Sequence, residues 1–189
     1  AISAAVNVVE GPLDGGVCLS VLRMYDNIRR NVGDMDDERA LAAYLDRILD
    51  GKANDGSGRI YGLGHAVYTQ SDPRALLLKQ AIRDLAETEG FEEQLHFMEQ
   101  VERIGVQLLT ERHAMAKPVC ANVDLYAGLA LRILRIPEEF FEPFFSIAHI
   151  ASWCAHRIEE CLSGNPMMRP AYRSKSKMRE YVPLDRRES

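Results

Sequence analysis

The chain has 189 residues, 47% of them hydrophobic, and a formal net charge of −5. That length can bury a core as one large domain or two small ones, and the acidic balance excludes the basic footprint of a nucleic-acid or anionic-membrane binder. No apolar run reaches the roughly 18 residues of a membrane span, and AISAAVNVV lacks the basic flank of a signal peptide, so a cytoplasmic location is expected.

Helical periodicity dominates from residue 17 onward. Val17, Val21, Leu22, Tyr25 and Ile28 share one face, and a second helix is predicted after GDMDDER, where Asp34 can cap and Asp36, Asp37 and Glu38 suit the positive helix start. Leu41, Tyr44, Leu45, Ile48 and Leu49 supply its core face. DGKANDGSGRIYGLGHAVYTQSDPR then breaks the pattern with five glycines between 51 and 64, which predicts a long loop.

Asp72 and Pro73 form an N-cap and first-turn signal for a helix reaching about Glu89. Another is predicted from about Glu92 to Ala114, and Asn122 can cap a third with Leu125, Leu129 and Ile133 on one side. A long apolar helix is entered at Pro137 and closed at Gly164, while the basic residues of YRSKSKMREYVPLDRRES, interrupted by Glu180, Asp185 and Glu188, read as a solvated tail. RIYGLGHAVY has too many glycines to be a trusted strand. The expected class is all-α.

Local motifs narrow the chemistry. NDGSG resembles part of a calcium loop, but aligning Gly56 with its invariant glycine puts Gly51 and Ala53 at ligand positions and Gly62 where a glutamate belongs. GLGHAV lacks both the third glycine and the preceding strand of a dinucleotide turn. His149 and His156 are too distant on one helix to share a metal and are expected to be structural, with an intrahelical ion pair open to His156; His96 and His113 are placed at the surface or its boundary. Cys18, Cys120, Cys154 and Cys161 form no C-x-x-C pair, and the last two lie about 10.5 Å apart along a helix axis, so buried reduced thiols are expected. His65 stands apart. It lies between the glycine-rich loop and DPR, where an imidazole and a guanidinium can converge on a polar ligand.

YGLGHAVYTQSDPRA, CANVDLYAGLALRILRIPEEFFEPFFSIAHIASWCAHRIEE and MRPAYRSK together resemble the citrate synthase family, in order and spacing, over nearly the whole chain. The resemblance implies condensation of acetyl-CoA with oxaloacetate to citrate and CoA, by a dimer of two-domain helical subunits. Residues 1–15 would end a large-domain segment, 16–134 would form the small domain, and 135–189 would be the carboxyl-terminal part of the large domain and tail. Roughly the first half of a family member, with its first substrate-binding histidine motif, would lie outside this sequence.

The resemblance also assigns roles. Asp124 of NVD matches the carboxylate base, His65 the histidine on the oxaloacetate carbonyl, and Arg74 a guanidinium binding a substrate carboxylate. Arg169 of MRP matches an arginine that reaches the neighbouring subunit's site. Ile60, Tyr61, Gly62, Leu63 and Gly64 match the loop that cradles the adenine of CoA, a co-substrate rather than a permanently bound cofactor; no metal is implied. Two positions depart from the family. Asp14 stands where GPL-x-GG carries the histidine donor to the enol oxygen, and His149 stands where a carboxylate-binding arginine is usual.

An ionised Asp14 would repel the forming enolate by roughly 4 kcal/mol at 4 Å and an effective dielectric of about 20. That is near a thousandfold in rate. The expectation is therefore a family member inactive or impaired alone, set against a non-catalytic CoA-binding or interaction protein that self-associates through exposed helix faces. A weaker idea joins Asp14, His65 and Asp124 in a metal site.

Overall fold

The computed structural model describes residues 1–9, 16–34, 36–112, 118–164, 166, 182–183 and 186–187. Seven α-helices are present among them: α1 (Ile2–Val9), α2 (Val17–Val32), α3 (Glu38–Leu49), α4 (Pro73–Glu89), α5 (Glu92–Arg112), α6 (Asp124–Ile133) and α7 (Phe141–Ser163). A single 3-10 turn, Glu138–Phe140, leads into α7, and the described residues contain one isolated β-bridge and no strand.

The helices begin and end where their chemistry directs. Asp72 accepts from the Arg74 N–H at 3.0 Å with Pro73 in the first turn, and Gly90 closes α4 at φ 75°. For α3 the cap is Asp37, which accepts from the N–H groups of Arg39 and Ala40, each at 3.0 Å. Asp34 instead accepts from Asp36 N–H in a local turn. With several acidic side chains in a row, the one adjacent to the first helical residue wins, because only it reaches the N2 and N3 donors. The short helix α1 was not anticipated, and it buries none of its residues.

Packing centres on α6, which lies between α2 and α4, while α3 packs on α2 and α5, and α4 on α5. Leu125, Leu129 and Ile133 of α6 are buried, as are Val21, Leu22, Tyr25 and Ile28 of α2 and Leu41, Tyr44, Leu45 and Ile48 of α3. Val17 and Leu49 stay half-buried at the margin. Each fully buried large side chain contributes roughly 1.5–3 kcal/mol relative to exposure. Arg132 of α6 forks onto both carboxylate oxygens of Asp26 in α2, at 3.1 and 3.0 Å, so the tightest helix pair is also pinned at its rim.

Helices α1 and α7 pack on each other and differ in character from the rest. Only Phe141 of α7 is buried, while Phe144, Ile147, Ile150, Ile158 and Leu162 are exposed. At 100° per residue those five fall in a sector about 120° wide, so the helix carries an apolar stripe that nothing described covers. This also overturns two sequence expectations. Cys154 and Cys161 are exposed rather than buried, and His156 is an exposed residue 3.6 Å from Glu159 rather than a packing residue.

The close approach of α6 to α2 needs Gly128, since a Cβ there would stand 2.7 Å from the Cys18 carbonyl oxygen and 2.8 Å from Leu22 Cγ. Gly128→Ala is expected to lower the unfolding free energy by about 2 kcal/mol, measured by urea denaturation followed by circular dichroism.

Candidate functional site

The loop from 50 to 72 is ordered by positive-φ turns. Gly51, Gly56, Gly58, Gly62 and Gly64 all have φ between 69° and 90°, a region closed to most side chains. At Gly62 there is a second constraint, because a Cβ would sit 2.8 Å from the Leu125 Cα. The loop therefore lies directly on the start of α6.

Backbone hydrogen bonds clasp it there. Gly64 N–H donates to the Cys120 carbonyl at 2.8 Å and Asn122 N–H to the Gly62 carbonyl at 2.9 Å, around the bridge between Leu63 and Ala121. The Asn122 side chain works in both directions: Nδ2 donates to the Gly64 carbonyl at 2.9 Å and Oδ1 accepts from Asp124 N–H at 3.0 Å. The residue expected only to cap α6 thus also fixes the loop that precedes His65.

His65 is oriented by the backbone that follows it. Its Nδ1 accepts from the N–H groups of Val67 and Tyr68 at 3.0 and 3.1 Å, so Nδ1 carries no proton and the neutral ring presents an N–H at Nε2. That Nε2 lies 3.3 Å from Nη2 of Arg74. Two N–H donors so placed do not satisfy each other. An oxygen seated between them accepts from both.

Arg74 is held from behind by Asp72. The guanidinium donates from Nε to Oδ1 at 3.0 Å and from Nη2 to Oδ2 at 2.8 Å, while its plane stands over the Tyr68 ring at 5.4 Å. The Asp72 side chain has 0% exposure, and Oδ2 also accepts from Val123 N–H at 3.1 Å. Burial alone would raise the Asp72 carboxyl, but the hydrogen bonds and charge of Arg74 with the Val123 N–H outweigh it and leave it below its ordinary value. Its stabilising contribution is present above the ordinary carboxylate range and lost as pH falls through that lowered value. Sequence reasoning saw Asp72 and Asn122 only as caps and missed their wider support of the site, and it missed Tyr68 altogether. The one available signal was the DPR spacing, which puts a cap and a guanidinium on one helix turn.

Asp124 opens α6 half-buried, one residue beyond the N–H that Asp72 holds. Its charge is felt at Arg74 and at Cys18, so it lies within electrostatic reach of both the guanidinium and the start of α2. His65, Arg74 and Asp124 are therefore brought to one edge of the helical unit, although His65 and Arg74 are exposed there. Beside them a cleft of about 260 Å³ is lined by Val17, Ile60, Tyr61, Gly62, Leu63 and Asn122 among others. Ile60 is buried, and the Tyr61 hydroxyl donates to Asp55 at 2.6 Å.

The remaining expected residues fall elsewhere. His149 is in the middle of α7, with Nδ1 2.8 Å from the Phe145 carbonyl and its ring centroid 4.4 Å from that of Phe145 and 5.7 Å from that of Trp153. These contacts are with its own helix. Asp14, Arg169, His113 and Ala114 lie outside the described residues. Among the described residues no group of three His, Cys, Asp or Glu side chains is placed to hold a metal ion, and no helix is long and apolar enough to cross a membrane.

This arrangement belongs to an all-helical fold seen in solved structures. A ternary complex of citrate synthase from Thermoplasma acidophilum with carboxymethyl coenzyme A and oxaloacetate superposes with a TM-score of 0.73 at 24% identity, covering 98% of this chain and 46% of that one. A family model described as the citrate synthase C-terminal domain matches residues 1–171. A citrate synthase from Synechocystis sp. is 35% identical over 169 residues, covering 89% of this chain and 38% of the relative. 2-Methylcitrate synthase 1 of Corynebacterium glutamicum is 32% identical over 189 residues, covering 99% of this chain and 44% of the relative. The chain belongs to the citrate synthase family, and it spans less than half the length of these relatives.

The electrostatic influence of Asp124 on the start of α2 is open to measurement. Burial first, then the charge of Asp124, pushes the Cys18 thiol up to about 11. At pH 8 the exposed Cys154 and Cys161 are expected to alkylate with iodoacetamide while Cys18, about a thousandth ionised, does not. Peptide mass spectrometry reads this directly, and Asp124→Asn should speed reaction at Cys18.

Proposed function

We propose that the edge formed by His65, Arg74 and Asp124 is the oxaloacetate and acetyl-CoA side of a citrate synthase site. The observation that carries this reading is the pair of N–H donors at His65 Nε2 and Arg74 Nη2, 3.3 Å apart and unsatisfied by each other. Such a pair polarises one carbonyl oxygen, or holds neighbouring oxygens of an anionic 2-oxo acid, and polarisation of that carbonyl is what carbon–carbon bond formation requires. Asp124 takes the proton from the thioester methyl group, and the resulting enol carbon attacks the polarised carbonyl. Hydrolysis of the thioester by water then gives citrate and CoA. The backbone from Ile60 to Gly64 would carry the adenine of CoA along the adjoining cleft, as the CoA-bound relative supports.

On this reading α2 to α6 form the small domain, residues 16–134, while α1 and α7 belong to the large domain of a cytoplasmic protein. Arg169 would complete a neighbouring subunit's site. Asp14 and His149 replace a histidine donor and an arginine, so the chain alone is impaired in turnover. His65 and Arg74 are also exposed, where water competes for their donors. These same features favour the second reading, a CoA-binding protein without catalysis.

A steady-state assay of CoA release from acetyl-CoA and oxaloacetate, paired with calorimetry of CoA and oxaloacetate binding, separates the readings. The expected result is binding of both ligands with turnover depressed at least about a thousandfold from ordinary enzyme rates of roughly 10 s⁻¹. Asp14→His is expected to recover part of that loss. Turnover at ordinary rates would sink the impaired reading, and absence of heat with both ligands would sink the site itself.

The apolar stripe of α7 favours self-association. Sedimentation velocity is expected to show a concentration-dependent dimer, weakened by Ile147→Glu without loss of helix content. A monomer at every concentration would remove this part of the proposal.

A further inference from the structure

We infer that Asp72 is a positioning residue for Arg74, an inference that rests on the reading of His65 and Arg74 as an oxaloacetate site. An N-cap needs one acceptor oxygen. Asp72 uses two oxygens for four donors: Arg74 N–H, Arg74 Nε, Arg74 Nη2 and Val123 N–H. A carboxylate with a fully buried side chain and that many partners is doing more than starting a helix.

The geometry of the fork says what the excess does. Arginine has five N–H donors, and Asp72 occupies the edge made by Nε and one N–H of Nη2. The edge left over, made by Nη1 and the second N–H of Nη2, is the one beside His65 Nε2. With its side chain 44% exposed, an unforked Arg74 would sample several rotamers. Asp72 selects the one in which guanidinium and imidazole donors converge. The same carboxylate fixes Val123, the residue before Asp124, so one buried group sets both the anion-binding edge and the start of the helix bearing the base.

The test uses the chain itself with Asp72→Asn and Asp72→Ser, both of which keep a capping acceptor for α4. Helix content by circular dichroism is expected to persist in both, while oxaloacetate affinity by calorimetry falls at least about tenfold, equivalent to about 1.4 kcal/mol. In an Arg74→Lys background, which has no fork to orient, the same substitutions are expected to change affinity less than about twofold. Unchanged affinity in Asp72→Ser, or an equal loss in the Arg74→Lys background, overturns the inference and leaves Asp72 as a cap only.

A second measurement needs no variant and no ligand. Hydrogen exchange of the Arg74 Nε–H by NMR is expected to be slower than that of exposed arginines in the same chain. Exchange at the exposed-arginine rate shows that the fork does not hold in solution. Failure of the wild-type chain to bind oxaloacetate refutes the reading of the site instead, and leaves the exchange result to decide the positioning role.

Discussion

A carboxylate cannot be taken out of water without partners, and the whole candidate site is arranged around that requirement at Asp72. Its side chain has no exposed surface, so its charge is tolerated only because four N–H donors converge on it. Those donors come from two places far apart in sequence, the first turn of α4 and the entry to α6. Satisfying one buried group therefore fixes the relation between two helix starts. Arg74 and Asp124 ride on those starts, which is why residues 50 positions apart share an edge.

The loop is held by a complementary device. Asp72 gathers donors, whereas Asn122 both donates and accepts, joining the Gly64 carbonyl to the Asp124 N–H. An aspartate at 122 would lose the donor and a threonine would lose the reach. Beneath them Gly62 lets the loop backbone rest on Leu125, where any side chain would collide. The loop is thus held through its backbone, with the Asp72 and Asn122 side chains as fasteners.

Much of this was legible in the sequence, because helix signals are local. The boundaries of α4 follow from Asp72, Pro73 and Gly90, each acting on its own turn, and the apolar faces of α2, α3 and α6 follow from spacing alone. The cap of α3 was misplaced from Asp37 to Asp34 because adjacent acidic residues compete by geometry, not by type. The packing of Cys154, Cys161 and His156 on α7 was misjudged for a different reason, although exposed apolar helix faces were expected. Apolar periodicity says that a face wants covering, but not whether a partner within the described chain covers it. The meeting of His65 with Arg74 was readable from the glycine-rich loop beside DPR, whereas Asp124 joined them only through the family resemblance, since no local rule brings a loop at 65 onto a helix start at 124. The fork of Asp72 on Arg74 lay within reach of the DPR spacing, but its bond to Val123 is a tertiary fact.

Exposure of the edge changes the weight of every charge there. In the proposed reaction an ionised Asp14 opposes the enolate by roughly 4 kcal/mol at 4 Å when the effective dielectric is about 20, but only by about 1 kcal/mol in bulk water. The stabilisation offered by His65 and Arg74 shrinks by the same ratio, because water solvates the developing oxyanion equally well. On the proposed reading, exposure therefore weakens the effect of a carboxylate at position 14 and the effects of His65, Arg74 and Asp124 alike. On the same reading a covering surface that made His65, Arg74 and Asp124 effective would also make an ionised carboxylate at position 14 more harmful, so exposure of the edge would limit the cost of that residue.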